Sequence, residues 1–237
     1  MCSRYLLVSS AEILAKLTRA VRFPPSRPRY NAAPTQHLPV VRTTGTSAER
    51  EAAELRWGLV PSWSHEPRTN TLLINARAET AAAKPAFRES FRHRRCLVPA
   101  DGFFEWKKTS RGRSPWLFQH ADRTPLVFAG LWDRWAGDGA EPFESFTILT
   151  TAPNSLLAEI HDRMPVILPP DAQDQWLMAN IPPKALAQLL VPFPAEAMTG
   201  RPVSQRLNSV ANDDPACLEP PATAGSTSGD QLDLPME

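Results

Sequence analysis

A chain of 237 residues, 42% of them hydrophobic, can bury a sizeable core and suits one large domain or two small ones. No apolar run approaches the length that crosses a bilayer, and Glu12, Lys16 and Arg19 interrupt the N-terminal region, so neither a membrane span nor a signal peptide is expected and the protein reads as soluble and intracellular. Net charge is +1 but uneven: residues 1–120 carry 20 Lys and Arg against 9 Asp and Glu (+11), residues 121–237 carry 6 against 16 (−10), which points either to a polyanion partner for a surface built by the first half or to halves that neutralise each other.

In chain order, Ser9 and Glu12 have capping-box spacing, and Ile13, Leu14, Leu17 and Val21 follow at helical spacing, which predicts a short helix. Residues 22–37 read as an extended, proline-rich segment ending in "NAAPTQ". Strand-like runs come next: "HLPVVRT", "LRWGLV", "TLLINAR", "RCLVPADGFFEW", "WLFQH", "PLVFAGLWDRW" and "SFTILTT". Phe87 and Phe91, after Pro85, suggest a short helix, and Asp101-Gly102 reads as a hairpin turn. A helix "SLLAEIH" is expected from Asn154, another from Asp171 as its cap, and a third from Pro182-Pro183. The 25 prolines are about twice the usual share of roughly 5%, which disfavours long helices. The expected fold class is α+β: a mostly antiparallel twisted sheet or barrel-like core flanked by short helices. Residues 1–219 form the expected domain, and 220–237, rich in Pro, Ala, Ser, Thr and Gly, the expected disordered tail.

Three dispersed cysteines without a CxxC pair support neither a disulfide framework nor a zinc ribbon, and the five histidines make no HExxH pattern, so no metal is expected. Phosphate loops of the GxxxxGK[ST] or GxGxxG type are absent, and no cofactor is expected.

Four elements carry candidate chemistry. Loss of Met1 would give Cys2 a free α-amine, with an ordinary pKa of about 7.7–8.0, next to its thiol. Such an amine forms an imine with an aldehyde, and the thiol then closes a five-membered thiazolidine ring. A chance cysteine on a frayed terminus is the bland alternative. Glu105, between Phe104 and Trp106 on a predicted strand, points to the face opposite theirs, where burial would raise its pKa; a solvent-facing glutamate is the alternative. His161 in "EIHDRMP" suits proton transfer, with Arg163 nearby for a phosphate, or it simply complements a helix C-terminus. Asn75 and Arg77 of "LLINARAET" share a strand face. Between Arg88 and Arg113, eight Lys and Arg interleave with Phe91, Phe103, Phe104 and Trp106, as single-stranded nucleic acid binding requires, although a solvated basic hairpin with core aromatics looks the same.

Together "MCSRY", "NAAPTQ", "RWGLVPSW", "INARAET", "RCLVPADGFFEW", "HDRMPVIL" and "VANDDPACLEP" occur in the order of the SRAP family, the SOS response-associated peptidases and abasic-site processing proteins, and the chain resembles that family over roughly residues 2–219. The resemblance implies Met1 removal, self-catalysed or by an aminopeptidase, then a thiazolidine crosslink from Cys2 to the ring-opened aldehyde of an abasic site in single-stranded DNA. It implies that Asn75 holds the cysteine and sugar, that Glu105 handles protons around the amine and assists methionine release, and that His161 acts on the sugar hydroxyl. Arg77 and Arg163 match DNA-contacting arginines, and Arg4, Asn31, Trp106 and Thr150 match positions lining the same groove. The family usually reads Met-Cys-Gly-Arg, and Ser3 stands here in place of the glycine. The partner expected on this reading is single-stranded DNA containing abasic sites, met by a monomer in the cytoplasm or nucleoid of a bacterium, with lyase activity through the Schiff base. A cysteine peptidase or N-terminal-nucleophile amidohydrolase, and a noncovalent single-strand binder, are the competing classes.

Overall fold

Runs of alternating and continuous apolar residues, cut by proline, leave little room for helices, and strands dominate the computed structural model, which describes residues 2–25, 27–43, 49–66, 72–110, 112–137 and 140–221. In chain order come β1 (Tyr5–Leu7), α1 (Ala11–Thr18), β2 (Ala20–Arg22), β3 (Arg29–Ala32), β4 (His37–Thr43), β5 (Arg50–Trp57) and β6 (Asn75–Arg77). Next are α2 (Ala78–Ala81), α3 (Arg88–His93), β7 (Arg95–Ala100), β8 (Gly102–Thr109), β9 (Gly112–His120), β10 (Leu126–Trp135) and β11 (Phe143–Thr151). The chain continues with α4 (Ser155–Ala158), β12 (Met164–Pro165), α5 (Pro170–Leu177), α6 (Pro183–Ala187) and β13 (Met198–Pro202), followed by two 3-10 turns, Gln205–Asn208 and Pro215–Leu218. The expected α+β class holds.

One sheet runs β12-β11-β10-β7-β4-β5-β2, and β11 also pairs with β5 in parallel, which closes β11, β10, β7, β4 and β5 into a five-stranded barrel. A barrel leaves no open edge among its own strands. Its interior is apolar: Val40, Leu55, Trp57, Val98, Phe128, Phe146 and Ile148 are buried, and the Trp57 and Phe146 rings stack with centroids 6.2 Å apart. The second sheet, β13-β9-β8-β1-β3, lies against it. Tyr5 of β1 joins the two cores, its ring 5.2 Å from Trp57 and 6.3 Å from Phe128.

Asp101-Gly102 is not a hairpin turn. β7 belongs to the barrel and β8 to the other sheet, so this dipeptide is the corner where the chain changes sheets. The Asp101 carboxylate accepts the backbone N–H groups of Val8 (2.6 Å) and Ser9 (2.8 Å) and the Ser9 hydroxyl (2.5 Å), fixing the end of β1. A Cβ on residue 102 would lie 2.6 Å from the Phe118 carbonyl oxygen, so only glycine lets β8 approach β9 there. With Ser9 engaged by Asp101, Ser10 caps α1, accepting from the Ile13 N–H; the helix ends at Thr18, and Val21 lies in β2. Helix α5 starts two residues earlier than expected, with Pro169 as its cap and Asp171 in its first turn, where a negative charge suits the helix dipole. Residues 222–237, most of the expected tail, lie outside the described residues.

Candidate active site

The first residues of the chain run into β1, which is flanked by β8 and β3, so Cys2 is set between sheet and barrel. The Asn75 amide donates to the Cys2 carbonyl at 2.7 Å. Asn75 is placed by β6, which runs parallel to β11 with Asn75 opposite Ile148. The Cys2 thiol contacts the Arg4 carbonyl oxygen at 3.7 Å and is fully buried, so it is not a cysteine on a frayed terminus, and the capture chemistry expected of Cys2 requires this sulfur to become accessible. Burial pushes its pKa well above the ordinary thiol range, and the neighbouring Glu105 charge pushes it further, so the thiol is protonated and unreactive in this form.

Glu105 lies on β8 opposite Trp116, on the inner face with Phe103, while Phe104 and Trp106 pack on the other face. The alternation expected from the sequence is met, but both faces are covered. Glu105 is 2% exposed, and burial raises its carboxyl to about 7, against a lowering by the positive amino terminus of the chain. His161 follows α4 and brings Nε2 to 3.8 Å from Glu105 Oε2, within ion-pair range but too long for a hydrogen bond. The Arg163 backbone N–H donates to His161 Nδ1 at 3.0 Å, which leaves the neutral ring's hydrogen on Nε2, facing Glu105. Protonation of the ring would give Nδ1 a hydrogen for Asp162, whose carboxylate is 2.9 Å away. Burial is the main cause of a lowered His161 pKa, the charge of the amino terminus adding to it. A carboxyl pushed up and an imidazole pushed down, side by side, form a pair able to pass a proton near neutrality.

Of the residues expected to meet a ligand, Arg77 is exposed at the end of β6. Arg4 and Trp106 line an open cleft of about 360 Å³ with Ser3, Arg113 and Asn208. The Trp106 indole N–H donates to Asn208 Oδ1 at 2.7 Å, which fixes the ring. Arg163 is held by Glu79 through two bonds of 2.8 and 2.9 Å and also donates to the Thr150 carbonyl. Thr150 itself is buried. Asn31 is fully buried, and its amide donates to the carbonyls of Leu207, Ser209 and Asn212. In return Asp213 accepts the Tyr30 and Asn31 N–H groups and pairs with Arg29 at 2.7 Å, so Asn31 anchors the segment that carries Asn208. Ser3 is not among the described non-glycine residues with positive φ, so replacement of the usual glycine introduces no left-handed strain. Among the described residues no group of three or more His, Cys, Asp or Glu is placed to hold a metal ion, and no helix is long and apolar enough to cross a membrane.

The sequence marks Arg113 only as part of the basic stretch, and nothing in it marks Asn208, which the fold brings to the cleft, or Glu79, which "NARAET" places two residues after Arg77 without hinting at its partner.

A sheet-rich α+β fold with a cysteine at position 2, an asparagine on its carbonyl and a Glu–His pair beside it matches the family model described as SOS response associated peptidase (SRAP), over residues 1–210, and the chain belongs to that family. Among its relatives, Abasic site processing protein YoqW of Bacillus subtilis is 36% identical over 92% of this chain and 99% of its own length. Abasic site processing protein YedK of Escherichia coli is 31% identical over 93% of this chain and all of its own. Abasic site processing protein HMCES of Xenopus tropicalis is 33% identical over 81% of this chain and 66% of its own. The crystal structure of a protein from Bacteroides thetaiotaomicron superposes with a TM-score of 0.81 at 29% identity, covering 92% of this chain and 99% of that one.

Proposed function

We propose that this protein processes abasic sites by capturing them covalently at Cys2 once Met1 is gone. The observation that carries the reading is the convergence on residue 2: its carbonyl is held by Asn75, and the proton-passing pair Glu105–His161 stands next to it. The chemistry follows from the groups present. The freed α-amine is the first nucleophile, because burial keeps the thiol protonated. Its nitrogen adds to the aldehyde carbon of the ring-opened sugar, and water leaves to give an imine. Glu105, with its carboxyl raised to about 7, takes the proton that the amine sheds. His161 Nε2 presents a hydrogen toward the same space and serves the sugar hydroxyl. The thiol sulfur then adds to the imine carbon, its proton passes to the nitrogen, and the thiazolidine is complete. Elimination of the 3′ phosphate from the imine stage would cut the strand, which accounts for lyase activity as a side path.

In the chain that retains Met1, Glu105 beside Cys2 is also placed to assist release of the methionine. That is a peptidase act on one bond. A general cysteine peptidase is disfavoured, because such enzymes need an acidic thiol stabilised by an imidazole, whereas this thiol is raised and His161 faces Glu105. Arg4, Arg77 and Trp106 are the groups we assign to single-stranded DNA, with Arg163, Thr150 and Asn31 supporting the surface from beneath, in a protein acting as a monomer.

Intact-mass measurement after mixing Met1-free protein with an abasic oligonucleotide tests this. A denaturation-resistant adduct on Cys2, lost in Cys2→Ala, is expected. Equal adduct in Cys2→Ala, or none in fully processed wild type, rejects the reading. Cleavage of a peptide library without any oligonucleotide adduct would favour the peptidase class instead.

A further inference from the structure

Most arginines for which the fold provides a carboxylate use it. Arg19 and Arg50 meet Asp174, Arg29 meets Asp213, Arg42 meets Glu144, Arg94 meets Asp133 and Arg163 meets Glu79. The cleft beside Cys2 departs from that pattern. Among the described residues its lining holds two guanidinium groups, Arg4 and Arg113, an indole, an amide and a hydroxyl, and no carboxylate. Arg113 has no hydrogen-bond or ion-pair partner among the described residues. Arg4 donates only to the neighbouring Ser3 carbonyl, at 3.2 Å, and its buried Nε has no hydrogen-bond partner. Arg113 also lies within electrostatic reach of His161, since its charge adds to the burial and amino-terminal charge that lower the imidazole pKa.

Two unpaired forks of N–H donors facing one space suit an anion with three free oxygens and nearly two charges, which a phosphate monoester has and a backbone diester lacks. The volume, about 360 Å³, is in the range of small-molecule sites. The cleft is lined by Ser3, the residue after Cys2, so an anion held there borders the segment that carries residue 2.

We propose that Arg4 and Arg113 form a phosphate-monoester subsite, and that Cys2, freed of Met1, captures phosphorylated aldoses in their open-chain aldehyde form, free in solution or at the 5′ end of a strand. This rests on the capture chemistry proposed above. The balance is the same: a C–N bond forms, the aldehyde oxygen departs as one water, the sulfur closes on the same carbon and its proton ends on the nitrogen. Nothing is oxidised or reduced.

The test mixes Met1-free protein, in separate arms, with 2-deoxyribose 5-phosphate, with 5-O-methyl-2-deoxyribose, with an oligonucleotide carrying a 5′-terminal deoxyribose phosphate, and with one carrying an internal abasic site. The methyl ether keeps the sugar in the same ring-to-aldehyde equilibrium but lacks the charge. Intact mass should rise by the probe less one water. The phosphate should speed capture over the methyl ether by about ten- to a hundred-fold, the worth of charged hydrogen bonds. Arg113→Gln should lower that ratio several-fold, the methyl ether arm carrying any change that the lost charge makes at His161. Faster capture in either monoester arm than in its comparator upholds the subsite, and the arm that responds names its source. If the internal site is captured but neither monoester arm gains, or if Arg113→Gln leaves the ratio unchanged, the subsite is wrong. Failure of every arm, the internal site included, rejects the capture chemistry itself.

Discussion

Glu105 shows what a single residue can reveal and conceal. Its side-chain direction was legible from strand alternation in "GFFEW", and a raised pKa followed from expecting burial on that face. What the sequence did not carry was the completeness of the burial, which depends on β1 and the barrel closing over it. The same neighbours bury Cys2, whose chemistry was legible from its position in the chain and whose accessibility was not. A test follows from the carboxyl. Its folded value is about 7 against an ordinary 4.5, so the folded protein that retains Met1 binds this proton more tightly than the unfolded chain does. The folded state therefore loses stability as pH rises from 4.5 through 7, and the loss approaches about 3 kcal/mol above that range. Glu105→Gln should raise the Tm at about pH 8.5, above the folded value of about 7, and change it little at about pH 4. The same variant should slow Met1 release and DNA capture by about 10²–10⁴-fold. A variant with wild-type rates at all pH values would remove Glu105 from the proton path.

At the scale of elements, "HLPVVRT" became β4 residue for residue, and the runs in β7 through β11 fell within a few residues of their expected limits. Strands of two to five residues, β1, β3, β12 and β13, gave no signal, because so short a run has no periodicity to read. Asp101-Gly102 has the composition of a hairpin turn yet serves as a corner between sheets. Local turn chemistry is the same in both, and only the identity of the paired strands differs. Asp101 accepts three hydrogen bonds there from the residues after β1, so it secures the strand that follows Cys2. Asp101→Ala should lower stability by about 2–3 kcal/mol, seen as a reduced urea midpoint with an unchanged slope. It should also slow capture, since β1 loses its far anchor. A midpoint within error of wild type would show that the corner is held by its backbone alone.

For the molecule as a whole, the opposed charges of the two halves have a double outcome. Arg19, Arg29, Arg42 and Arg50 of the first half meet Asp174, Asp213 and Glu144 of the second, so part of the asymmetry is internal neutralisation. Arg4, Arg77 and Arg113, near the site, have no such partner among the described residues of the second half. Pairing of this kind was beyond the sequence, which gives the sum of charges but not their neighbours, and barrel closure through β5 and β11 was equally hidden in its length of separation. The remaining cations predict that capture of abasic single strands slows as salt is raised from about 50 to about 200 mM, where phosphate contacts weaken. Adduct already formed should persist at any salt. Salt-independent capture would deny the surface a role in encounter.

The position of β1 has a bearing on when the protein matures. β3, on one side of it, is translated early, but β8, on the other, ends at Thr109, so on the ribosome the first residues keep one open edge until that strand has been made. At ~5–20 residues per second, the wait is on the order of ten seconds. During it the first residues are open to a processing aminopeptidase; afterwards residue 2 is buried, and on the function proposed above any chain still bearing the methionine would depend on Glu105 to shed it.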